Sequence, residues 1–147
     1  MKKTIIYFFI AVTIGIFLSN YVFKEYNRKT YAKETKNYIY MFQTSAYKDK
    51  DVMIENSKSL RNYLYYKEND MYHVIIGISL NKDNEEKIKK AYNIDNIYTF
   101  KKEINNNDFL ITLKEYEKLL SITDDTETII NIEKQILANY KETVLNE

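Results

Sequence analysis

Residues 38–51 read YIYMFQTSAYKDKD. From Tyr38 to Gln43 the side chains alternate, with Tyr38, Tyr40 and Phe42 on one side and Ile39, Met41 and Gln43 on the other. Period-two alternation rich in aromatics predicts a strand. After a short polar turn the period changes at Asp51. Met53, Ser57, Leu60 and Leu64 then fall on one face of a helix expected over 51–64, with Asp49 or Asp51 as its N-cap. A strand running straight into a helix poses the question for the chain: one side of the strand meets the helix, and the other needs a use.

Downstream, YLYYK at 63–67 suits a second strand and Glu68, Asn69 and Asp70 a polar turn. MYHVIIGIS at 71–79 suits a third strand, close enough to the second to form a hairpin. Asp83 and Glu86 fit a capping box, and Ile88, Ala91 and Tyr92 give the helix behind it a short apolar stripe. NIYTF at 96–100 is the last expected strand. The expected fold class is α+β: a βαββαβ unit over 37–104, with a four-stranded antiparallel sheet, two helices on one face, and the other face open.

Residues 105–147 carry helical patterns. Phe109, Leu113, Tyr116 and Leu120 share one face of a helix starting near Asp108. Ile129, Ile136, Tyr140 and Val144 share one face of a second, which starts near Thr123 or Asp124 with Glu127 closing a capping box. SITDD joins them, so the expected C-terminus is an α-helical hairpin, either a cap on the domain or a docking surface for an envelope or division protein.

At the other end, Thr4 to Phe23 is a stretch of twenty uncharged residues, TIIYFFIAVTIGIFLSNYVF. A helix of about 20 residues spans the roughly 30 Å hydrocarbon core, so residues 1–23 read as a transmembrane signal anchor. Lys2 and Lys3 precede it, Tyr7 and Tyr21 lie near its ends, and GIFLSNYVF offers no small-x-small cleavage site. The expected placement is a single-pass protein of the cell membrane, N-terminus cytoplasmic and C-terminal domain extracytoplasmic. Residues 24–36, KEYNRKTYAKETK, read as a linker.

Composition narrows the function classes. The chain has 147 residues and no cysteine, which excludes disulfides, a thiol nucleophile and a Cys-ligated metal. His73 is the only histidine, so no metal site is expected, and with neither a nucleophile elbow nor a phosphate loop no catalytic residue and no cofactor are expected either. The net charge of +1 hides an asymmetry: 7 basic and 2 acidic residues over 1–37, 11 and 10 over 38–104, and 4 and 9 over 105–147. RNA-recognition domains share this strand order. The balanced middle without a basic stripe argues against nucleic acid as a partner.

Several of these residues resemble a sporulation-related repeat (SPOR) domain. That family opens on a strand ending Gln-x-Gly-x-Phe/Tyr with a helix directly after it; here stand Gln43, Thr44, Ser45, Ala46 and Tyr47 and then the helix. Its Arg-Val-x-Val-Gly strand is similar to His73, Val74, Ile75, Ile76 and Gly77, and a polar turn with a Glu/Lys-rich helix follows in NKDNEEKIKKAY. Ser45 stands where the family has Gly, and His73 where it has Arg.

The resemblance implies a non-enzymatic, membrane-anchored module that binds peptidoglycan glycan strands on the open sheet face, at sites of division or wall remodelling. It places Gln43 and His73 on that face. Sugar hydroxyls and N-acetyl groups need donors and acceptors, and ring faces need flat apolar surface; the expected glycan site is Met41, Gln43, Ser45, Tyr47, Met71, His73 and Ile75, with Tyr98 as a further platform. The alternative is a SPOR-like fold serving as an interaction or structural element of an envelope or sporulation complex.

Overall fold

The computed structural model describes residues 37–146. The span expected over Thr4–Phe23 and the linker over 24–36 lie outside the described residues. Among the described residues no helix is long and apolar enough to cross a membrane.

The element order is β1 (Tyr38–Tyr47), α1 (Lys50–Ser57), β2 (Leu64–Glu68), β3 (Met71–Ser79), α2 (Asn84–Tyr92), β4 (Tyr98–Glu103), α3 (Asn107–Ile122) and α4 (Thr126–Thr143). The strands form one antiparallel sheet in the order β2-β3-β1-β4. This β-α-β-β-α-β-α-α arrangement corrects the expected fold class of a two-helix unit with a bare sheet face and a hairpin appended to it. All but the short α1 contribute to one hydrophobic cluster, which joins Ile39, Met41 and Phe42 of β1 to Ile88 of α2, Phe109 and Leu113 of α3, and Ile136 and Tyr140 of α4. The physical reason lies in β1 itself: Met41 and Phe42 point to opposite faces, both are apolar, and both have 0% exposure, so neither face of the sheet is left to water there.

Local chemistry sets the boundaries. Asp49 caps α1 by accepting from the Val52 N–H at 2.9 Å. The helix stops at Ser57 instead of running to Leu64, because Leu64 is taken by β2, where it pairs with Ile75. Asn69 and Asp70, with φ of 49° and 59°, make a two-residue hairpin turn between the paired Glu68 and Met71. These side chains tolerate the left-handed region that such a turn demands. Asp83 makes no side-chain cap at α2, contrary to the expected capping box, and Asn93 ends that helix in the left-handed conformation. Asn106 caps α3 and Asp125 caps α4, the latter one residue past the expected start, while Glu127 forms an ion pair with Arg61 instead of closing a box.

Two irregularities bend β1 against β3. The register runs Phe42 to Gly77, Gln43 to Ile75 and Ser45 to Val74, so Ile76 on one strand and Thr44 on the other are left without direct partners. Gly77 is needed for close approach: a Cβ there would lie 3.1 Å from Phe42, Ile88 and the Glu133 carboxylate alike.

β2 pairs with Met71–Ile75 of β3 and no further, which leaves the rest of that edge without a strand. The C-terminal helices satisfy it. The Ile78 N–H donates to Glu133 Oε2 of α4 at 3.0 Å, and the Leu80 N–H to Glu117 Oε1 of α3 at 2.8 Å. Glu117 also accepts from the Ser79 hydroxyl at 2.6 Å and from Asn84 Nδ2 at 3.0 Å. Glu133 is fully buried, and burial, with Glu117 nearby, pushes its carboxyl well above the usual range against the pull of the Ile78 N–H. Desolvation favours the neutral acid at this position.

Candidate functional site

Partners across an antiparallel pair share a face, so the register sorts the seven expected glycan residues. Gln43 lies opposite Ile75 on β3 and Tyr98 on β4, and His73 lies opposite Tyr66 on β2. Gln43 and His73 meet: His73 Nδ1 and Gln43 Oε1 are 2.8 Å apart. An amide oxygen can only accept, so Nδ1 carries the hydrogen, and the imidazole Nε2 remains an acceptor. Met71 lies on the same face as His73, two residues along, and is half-buried.

The other four are placed differently. Met41 and Ile75 share this face but have 0% exposure, sealed in the hydrophobic cluster with α3 and α4, so they cannot meet a ligand. Ser45 and Tyr47 pair with Val74 and Tyr72, which puts them on the opposite face from Gln43. The irregularity at Thr44 shifts the alternation by one residue, and a one-residue shift flips every later side chain.

What remains open is one end of the face. There Gln43, Tyr66, Glu68, His73, Tyr98 and Phe100 line a cleft of about 180 Å³. The Tyr66 and His73 rings stack with centroids 5.4 Å apart and planes at 19°. Tyr98 and Phe100, alternate residues of β4, stack at 5.9 Å and 25°, and Tyr98 is 65% exposed. Lys102 places its ammonium 4.5 Å from the Tyr66 ring centroid, a cation–π contact that joins β4 to β2 across the sheet.

Tyr66 anchors the cleft from below. Its hydroxyl is buried with no hydrogen-bond partner among the described residues, and burial, then the charge of Glu68, push its pKa far up. The phenol therefore stays neutral and serves as a packing surface for His73. Tyr140 of α4 is likewise pushed up to about 12 by burial and by Glu68.

Chemically, the cleft offers an amide with two N–H donors, an imidazole acceptor, a carboxylate and two near-parallel aromatic faces. His73 bonds the Gln43 amide, so each side chain fixes the orientation of the other. Among the described residues no group of three His, Asp or Glu side chains could hold a metal ion.

Tyr66, Glu68, Phe100 and Lys102 are the residues that sequence reading missed. The signal was present as alternation: Leu64, Tyr66 and Glu68 share one side of β2, and Tyr98, Phe100 and Lys102 one side of β4. Both strands extend past the ranges expected for them, 63–67 and 96–100, which leaves Glu68 and Lys102 outside the expected strands while Tyr66 and Phe100 lie within them. No family model, no curated protein and no solved structure matches this chain.

Proposed function

We propose that the protein is a non-enzymatic glycan-binding module of the cell envelope, and that the cleft beside Tyr98 is where the sugar chain sits. One observation carries this reading: a hydrogen-bonded Gln43–His73 pair stands beside an exposed Tyr98 stacked near-parallel on the half-buried Phe100. A pyranose ring presents an apolar face and a rim of hydroxyls, and this arrangement complements both. The N-acetyl carbonyl of an amino sugar can accept from Gln43 Nε2, and a hydroxyl can donate to His73 Nε2.

The resemblance to the SPOR family, carried by Gln43, Tyr47, Val74 and Gly77, supports peptidoglycan glycan as the polymer and a role at sites of division or wall remodelling. The uncharged stretch from Thr4 to Phe23 supports attachment to the cell membrane with the described domain outside. The test is sedimentation of the full chain with sacculi stripped of stem peptides. The chain is expected to co-sediment, and Gln43→Ala with Tyr98→Ala to stay in solution; a wild-type chain left in the supernatant overturns the reading.

A second reading, an interaction module of an envelope complex, is favoured by α3. Ile111, Leu119 and Ile122 lie on one side of that helix and are 61%, 48% and 82% exposed. Cross-linking of the intact chain in cells through this face, together with failure to sediment with sacculi, would select it.

A further inference from the structure

At the N-terminal end of β2, the segment connecting α1 to β2 faces α4 across a groove of about 350 Å³. Its floor is apolar, with Leu64 and Leu137 buried and Leu60 half-buried. Its rim is cationic: Arg61 on one wall, Lys134 and Lys141 on the other. Arg61 is joined to Glu127. The two lysines have no ion-pair partner among the described residues. The sequence explains why: none of the residues three or four positions from either lysine on α4 is acidic, although this helix carries Glu127, Glu133 and Glu142 elsewhere.

The spacing limits what fits. Seven residues of helix separate Lys134 from Lys141, about 10 Å along the axis. Leu137 stands between them, so two cations flank an apolar floor. A ligand with a single anionic head engages one lysine and leaves the other unpaired. An extended peptide advances about 3.3 Å per residue and points alternate side chains the same way, so acidic residues four positions apart, about 13 Å, face the groove together with the apolar residue midway between them, and the flexible lysine stems take up the difference in span.

We propose that this groove binds a short acidic peptide of a protein partner, in extended form, with one apolar side chain on Leu60, Leu64 and Leu137 and carboxylates on Lys134 and Lys141. The site is separate from the glycan cleft and does not depend on it. Its affinity rests on rim charges that water reaches, so it falls as salt rises.

Fluorescence anisotropy with the full chain in a non-ionic detergent tests this, using a labelled peptide built on Glu-Ala-Leu-Ala-Glu beside its Gln-Ala-Leu-Ala-Gln counterpart. The acidic peptide is expected to bind, and the Lys134→Glu, Lys141→Glu double variant to bind it at least about tenfold more weakly, a loss of about 1.4 kcal/mol. Both lysines are exposed, and an unchanged melting temperature verifies that the double variant folds. Sedimentation with sacculi is expected to be the same for the double variant and the wild type. Equal binding of the two peptides, no binding of the acidic one, or full retention by the double variant overturns the proposal. So does lysine-dependent binding of dodecanoate or of phosphatidylglycerol vesicles by a chain that ignores the peptide, which would assign the groove to a lipid anion.

Discussion

The two ends of one sheet face behave as opposites. Toward one end, Ile39, Met41, Ile75 and Ile78 are wholly buried in a cluster shared with the C-terminal helices; toward the other, Gln43, His73, Tyr98 and Phe100 face a cleft. On β3 the irregularity at Ile76 separates the two ends, and a strand does not say which of its faces will be covered. The composition of each end is nonetheless suited to its fate. The closed end is aliphatic and offers nothing to a polar ligand. The open end carries its aromatics outward from the core, from Tyr66 within the cluster through Phe100 packed on it to the exposed Tyr98, and surrounds them with an amide, an imidazole, a carboxylate and an ammonium.

Breaking the closed end should cost most. Phe109 is 1% exposed and packs edge-on against Tyr140 at 5.2 Å, so Phe109→Ala is expected to destabilise the protein by about 3–5 kcal/mol in chemical denaturation. Next comes Gly77→Ala, whose new methyl meets three neighbours at 3.1 Å. Overpacking of this kind costs about 1–3 kcal/mol, and in this case the glycan cleft should keep its affinity at temperatures where the variant is folded.

Glu133 gives the closed end a pH dependence. Its folded pKa is raised, so its contribution is fully present below its unfolded pKa, about 4.3, and is lost as pH rises toward the folded value. Glu133→Gln keeps an acceptor for the Ile78 N–H and removes the titration. Denaturation midpoints measured from pH 4 to pH 9 should therefore move in favour of the variant as pH increases; a constant difference would mean that Glu133 is not the titrating group.

The smallest effect on stability belongs to the open end and sharpens the contrast. Tyr98→Ala should change the unfolding free energy by no more than about 0.5 kcal/mol, as for exposed side chains generally, while weakening glycan sedimentation about tenfold. A large loss of stability there would show that Tyr98 is part of the core after all.

Legibility followed the same division. The strand at Met71–Ser79 was readable because its composition and its turn agree, and the α3 and α4 stripes were readable from their period. The partner of those stripes was not, since an amphipathic helix declares a buried face without saying what lies against it. Nor was the displacement at Thr44 readable: residues after Gln43 read as a polar turn, and the resemblance that names Ser45 and Tyr47 does not show that the strand runs on to Tyr47 with a shifted register. Leu60 and Leu64 extended the first helix on paper because an apolar spacing that suits a helix can be supplied by a turn and the strand after it. Gln43 and His73 were found through resemblance, and only the register brought them to Tyr66 and Phe100.

The carboxylates of Glu117 and Glu133 along β3 have a consequence for the protein in a crowded cell. They cover the end of VIIGIS, residues 74–79, which is uncharged, contains no proline and favours β-structure, the features of a sequence that recruits further copies of itself when an edge is bare. Side chains from two helices accept the hydrogen bonds that a foreign strand would need. A chain cut after residue 104 would therefore lose its guard against self-assembly along with its core, and should form fibrils or amorphous aggregates where the intact chain stays dispersed.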